Sequence, residues 1–177
     1  MTAPGLIQET EGRAASDTMH VVARVGDERF AFRVAEVEEV VDEPALIAVP
    51  NAPPGLSGQF SHRDRTISAY DAAWAFGIGR KGGAGTALVL RVAGDRTALI
   101  VDDVDDLTLL DPDSVRPTPA GADPSGLLRG VCLPRDGTGD WSLIGVVNAV
   151  ALVARVSARS ARSARSARSA RGRDQGE

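Results

Sequence analysis

Two histidines, one cysteine, a cluster of aspartates and a run of glycines are the residues of this chain whose types could do chemistry, and none is spaced for it. His20 opens an alternating apolar stretch and His62 stands at a loop tip; neither has a second histidine or a cysteine at ligand spacing, which argues against zinc. Both are read as exposed histidines. Asp102-Asp103-Val104-Asp105-Asp106 is the densest acidic cluster. It lacks the mid-loop glycine and the closing glutamate of a twelve-residue calcium loop. Its acids are expected on the wet face of a strand end, with Val101, Val104 and Leu107 buried. Gly82-Gly83-Ala84-Gly85 follows Lys81 instead of preceding a Gly-Lys-Ser/Thr helix start, so it reads as a linker and not a phosphate cradle. Cys132 lies in an apolar run and reads as a small buried hydrophobe. The expected inventory is no catalytic residue, no metal and no cofactor.

The elements that surround these residues are short and extended. Val21, Ala23 and Val25 alternate with Val22 and Arg24, and Phe30, Phe32 and Val34 alternate with Arg29, Ala31 and Arg33. Between them Gly26-Asp27 marks a turn, so the pattern is a β-hairpin. Around Ala93-Gly94-Asp95, residues 86–92 and 96–101 form a second hairpin. Both turns carry Gly-Asp, a hint of two similar lobes. Over Ala35 to Val41 a short helical turn and a further strand both fit. Leu46–Val49, Asp102–Leu110, Leu127–Leu133 and Trp141–Val147 read as extended, with a proline-rich loop over 111–126. Asn148 is placed to cap a short C-terminal helix. Nine or ten short strands at close intervals suggest small β-barrels and not a βαβ fold.

Composition agrees. The 177 residues are 43% hydrophobic but only 4% aromatic, so the core must be built from aliphatic side chains. One cysteine excludes an internal disulfide, which fits a reducing cytoplasm. No apolar run approaches the ~20 residues of a membrane helix. The net charge of −4 is uneven: residues 155–177 hold seven arginines against Asp174 and Glu177, leaving the first 154 residues at −9. An acidic body repels nucleic acid, so no specific nucleic-acid partner is expected.

The segment Val49 to Gly77, VPNAPPGLSGQFSHRDRTISAYDAAWAFG, is the most shaped part of the chain. Pro50, Pro53 and Pro54 fix φ and remove donors, so a stiff turn precedes a hairpin whose tip displays Arg63. This segment resembles the CheW-like domain family, the coupling proteins of bacterial chemotaxis. Gly26-Asp27-Glu28-Arg29-Phe30 is similar to the family's opening turn, Val37-Glu38-Glu39-Val40 to its V-x-E-I/V element, and Val49-Pro50-Asn51-Ala52-Pro53 to I-P-N-A-P. Gly58 to Arg63, Ile67 to Asp71, Phe76-Gly77, Ile100 to Val104 and Leu128 to Val131 follow in family order. The resemblance implies a mainly β fold: two packed, five-stranded SH3-like β-barrel lobes with a short C-terminal helix. It implies a non-catalytic, cytoplasmic adaptor that couples the cytoplasmic tip of a chemoreceptor to the regulatory domain of the histidine kinase CheA. Its receptor-facing positions map onto Val37, Glu39, Arg63 and Ala87. The chain departs from the pattern where Ser61-His62-Arg63-Asp64 replaces Asn-Leu-Arg-Gly and Ser68 replaces a proline, and Ala87 is smaller than the usual branched residue. These departures leave an alternative: a divergent regulator that binds the kinase without normal receptor coupling, or a scaffold in a non-motility chemosensory pathway.

The expected organisation is a disordered leader over 1–18, the CheW-like domain over 19–153 and a basic low-complexity tail over 154–177. Ser157 to Arg171 is five Ser-Ala-Arg triplets. On a helix a period of three spirals the arginines round every face, so no apolar stripe exists. The tail reads either as a tether to an anionic surface or, more simply, as a tolerated extension, since nothing apolar or aromatic supports a dedicated site.

Overall fold

The computed structural model describes residues 18–79, 85–123, 126–133, 143–158 and 162. Ten strands run in chain order: β1 (Met19–Val25), β2 (Glu28–Arg33), β3 (Val37–Val41), β4 (Leu56–His62), β5 (Arg65–Asp71), β6 (Thr86–Val92), β7 (Asp95–Val101), β8 (Asp103–Leu109), β9 (Leu128–Cys132) and β10 (Ile144–Val147). They form two five-stranded sheets, ordered β8-β1-β2-β10-β9 and β3-β6-β7-β5-β4. Over residues 34–41 both sequence readings hold, since a 3-10 turn (Val34–Glu36) leads directly into β3. Leu46–Val49 is not a full strand. Only Ile47 pairs, with Gln59 of β4, because the prolines that follow leave no donors to extend the ladder. The leader up to residue 17, the glycine linker at 80–84, residues 141–142 and most of the Ser-Ala-Arg triplets lie outside the described residues.

The sheets are built alike. In each, a hairpin (β1–β2 or β6–β7) occupies the second and third positions, and the hairpin's second strand pairs in parallel with β10 or β5. The chain changes sheet after each hairpin, since β2 leads to β3 of the second sheet and β7 leads to β8 of the first. The first lobe is therefore assembled from both ends of the chain, and the second from its middle. The two Gly-Asp turns occupy equivalent places.

Side-chain alternation explains the aliphatic composition. Ile67, Ala69, Ala87, Val89, Ala98 and Ile100 fill the second lobe, while Val22, Ala31, Cys132, Ile144 and Val146 fill the first. The opposite faces of the same strands contribute Val21, Ala23, Phe30, Phe32, Leu88, Leu90, Leu99 and Val101 to one shared core between the sheets. Central strands buried on both faces read as nearly continuous apolar runs. Two helices close this core. Asp71 caps the short helix Ala72–Phe76 by accepting from the Trp74 amide at 3.1 Å, and Gly77 ends it at φ 75°. Phe76 then stacks on Phe30, centroids 4.1 Å apart. At the other end Asn148 accepts from the Ala151 amide at 3.2 Å, as its capping role requires. That helix runs over 149–158, and Leu152 and Val156 are fully buried.

Candidate functional site: the β3 edge and the hairpin tip

β4 and β5 pair in register down to His62 and Arg65, which leaves Arg63 and Asp64 as a two-residue turn. Both have positive φ, 45° and 61°, as a type I′ turn requires. Aspartate tolerates this conformation better than most residues, which is how Asp64 stands where the resembled pattern has glycine. The tight turn holds the Arg63 side chain outward, 68% exposed.

The turn lies against β3. Glu39 Oε2 is 2.8 Å from Arg63 Nη2 and 2.8 Å from His62 Nε2. Neither contact is an aligned hydrogen bond; Arg63 forms an ion pair with Glu39, and His62 does so only when its ring is protonated. The other acids of this stretch are also engaged. Glu38 accepts from Arg96 Nε on β7 at 2.7 Å, and Glu36 accepts from Arg129 Nη2 on β9 at 3.1 Å. The Arg96 hydrogen bond holds the Glu38 carboxyl below the usual carboxylate range, with Arg91 and Arg63 adding to it against the opposing effect of burial. Three successive acids thus tie β3 and the turn before it to both lobes. Sequence reasoning missed these ties, because nothing local marks partners 58 and 93 residues away.

Of the four residues singled out by resemblance, the structure joins two. Glu39 and Arg63 are in contact. Val37 lies on the same strand, partly buried and packed on the shared core. Ala87 is apart from them: it pairs with Val41, and its side chain is fully buried inside the second lobe. It presents no surface in this structure. Its small size fits the lobe interior, which it shares with Ala69 and Ala98.

The residues tested for chemistry take structural places. His20 is buried, not exposed, and donates from Nδ1 to the Thr18 carbonyl at 2.9 Å. Burial lowers its pKa, opposed by that bond and aided by Arg33 and Arg129. His62 is also mostly covered, its side chain only 12% exposed. Asp102 accepts from the Gly26 amide at 2.6 Å, Asp103 pairs with Arg24 at 3.7 Å and Asp105 with Arg29 at 3.0 Å. Val101 is buried as expected, but Leu107 is 59% exposed, because β8 is an outer strand with a solvent face. Cys132 is buried, and burial pushes its thiol pKa up, away from a reactive thiolate. A cavity of about 530 Å³ beside the loop after β8, lined by Asp111, Arg116, Pro117, Cys132 and Leu143, brings no histidine to that thiol. Among the described residues no group of acids, histidines or cysteines could hold a metal, and no helix is long and apolar enough to cross a membrane.

A family model of the CheW-like domain matches residues 20–157. The chain belongs to the CheW-like domain family. It is a scaffold domain of the chemotaxis coupling type and not an enzyme. Among solved structures it is similar to the scaffolding protein TtCheW from Thermoanaerobacter tengcongensis, with a TM-score of 0.66 and 23% identity over 75% of this chain and 84% of that one. That likeness carries the fold: two packed five-stranded sheets and little helix. Comparison with curated proteins finds no match. The CheW-like match runs to residue 157, in step with the burial of Val156.

Proposed function

We propose that this chain is a cytoplasmic adaptor that couples a chemoreceptor's signalling tip to the regulatory domain of the histidine kinase CheA. The observation that carries this reading is Arg63, held outward on a two-residue turn within a CheW-like domain. A guanidinium has five donors, and contact with Glu39 through Nη2 leaves others directed outward for a partner's carboxylate. Val37 and Glu39 beside it supply apolar and acidic contact.

A second reading is a regulator that holds the kinase without engaging receptors. It is favoured by one observation, that Arg63 already has an internal partner in Glu39. One reconstitution separates the two. Purified chain is added to the cognate kinase and a receptor signalling fragment at matched stoichiometry. An adaptor raises receptor-stimulated kinase activity, a decoy lowers it, and binding to neither component ends both readings.

A further inference from the structure

β3 and β4 are the two outer strands of the second sheet, so no ladder joins them. Besides the Ile47–Gln59 bridge and the packing of Val41 on the cluster that holds Phe60, the gap is spanned by the carboxylate of Glu39, met by two groups from the end of β4 and its turn. Both approach the same oxygen at 2.8 Å. Arginine cannot shed its charge in a protein, whereas imidazole changes charge between about pH 5 and 8. His62 is therefore the variable partner. It is also the more covered one, since its ring is 12% exposed and lies 6.4 Å from the Phe60 ring, while the Arg63 side chain is 68% exposed. Around His62 stand Glu39 on β3, Arg63 and Asp64 in the turn and Arg65 opposite it on β5; the neighbouring Glu38, paired with Arg96, lies within electrostatic reach of Arg63 and Arg91.

We propose that His62 is a pH-dependent switch on Arg63. Protonated, it takes Glu39 from the covered side, repels the neighbouring guanidinium and frees it for a partner's carboxylate. Neutral, it leaves Arg63 tied to Glu39. The consequence for binding rests on the reading of Arg63 as partner-facing; the switch itself does not.

The test uses the full chain, its H62Q variant and, as an apolar variant in case glutamine disturbs the hairpin, H62L. Side-chain nitrogen NMR follows the His62 ring and the Arg63 Nε–H from about pH 5.5 to about pH 8. The expected result is that the Arg63 signal moves with the His62 midpoint and that both variants abolish the movement. An Arg63 signal that ignores His62, or that moves equally in the variants, overturns the switch. Binding of a receptor signalling fragment is then measured across the same range. Wild type is expected to bind about twofold to fivefold more tightly at the acid end, the worth of one exposed charge pair, with a flat profile in both variants. Coupled NMR signals with pH-independent binding overturn the regulatory claim. Coupled signals with no binding at any pH uphold the switch and sink the receptor-coupling reading.

Discussion

Arg63 and Glu39 form the centre of the candidate surface, and a charge reversal tests their part in it. Arg63→Glu puts two carboxylates together at the β3 edge and removes the outward donors. Because Arg63 is exposed, the fold should tolerate this, with a stability change within about 0.5 kcal/mol. Affinity for a receptor fragment is expected to fall at least about tenfold, as for loss of a charge-assisted contact, while kinase binding stays intact. Calorimetry against each partner checks this, and equal loss of both would show the residue is misassigned. His20 makes a different prediction. Its folded pKa is lowered, chiefly by burial, so the protein favours the neutral ring. The associated stability is present above the ordinary imidazole pKa of about 6.5 and is lost as pH falls below it. Melting curves should show wild type losing more stability than H20Q between about pH 7.5 and about pH 5.

At the scale of elements, the proline turn is positioned at Gly55 by close packing and a backbone hydrogen bond. Gly55 has φ 85°, and a Cβ added there would lie 2.1 Å from Trp74 Cε3. The Asp71 amide also donates to the Gly55 carbonyl at 2.8 Å. The turn, β5 and the short helix therefore lock together, and the hairpin carrying Arg63 leaves from that joint. Gly55→Ala forces a methyl group into the indole and a side chain into the left-handed region. A loss of about 2–4 kcal/mol is expected from overpacking and backbone strain together, seen as a lower midpoint in urea. An unchanged midpoint would mean that Trp74 moves aside freely. The proline turn and hairpin were legible from residue types alone, as was the Asn148 cap, because each depends on chemistry within a few residues. The single bridge at Ile47 was not, since an apolar run cannot state how many of its residues find a partner.

For the molecule as a whole, the shared core decides where the domain ends. The terminal helix continues past Val153, and Val156 is fully buried against both sheets' common core. A chain ending at Val153 loses that side chain and the last turn of the helix, and should lose about 1.5–3 kcal/mol. One ending at Ala158 keeps every helix residue that is buried among the described residues and should match the full chain within about 0.5 kcal/mol. Chemical denaturation of the two truncations checks the boundary. The same assembly from both chain ends means that the first lobe cannot be cut out as a continuous segment, whereas the second spans β3 to β7.

Alternation, Gly-Asp turns and proline punctuation act over neighbouring residues, and by themselves they determined a mainly β chain of short strands. Motifs in family order pointed to the CheW-like domain, the family that the match over residues 20–157 shows. The tertiary structure decided what depends on contacts between distant residues. It assigned hairpins and following strands to different lobes, buried both faces of the central strands and enclosed Ala87. It also covered His20 and His62, which looked exposed, and gave Glu36, Glu38 and Glu39 their arginines. Such pairings follow from topology, which brings residues tens of positions apart within 3 Å, and no local pattern in one sequence encodes that meeting.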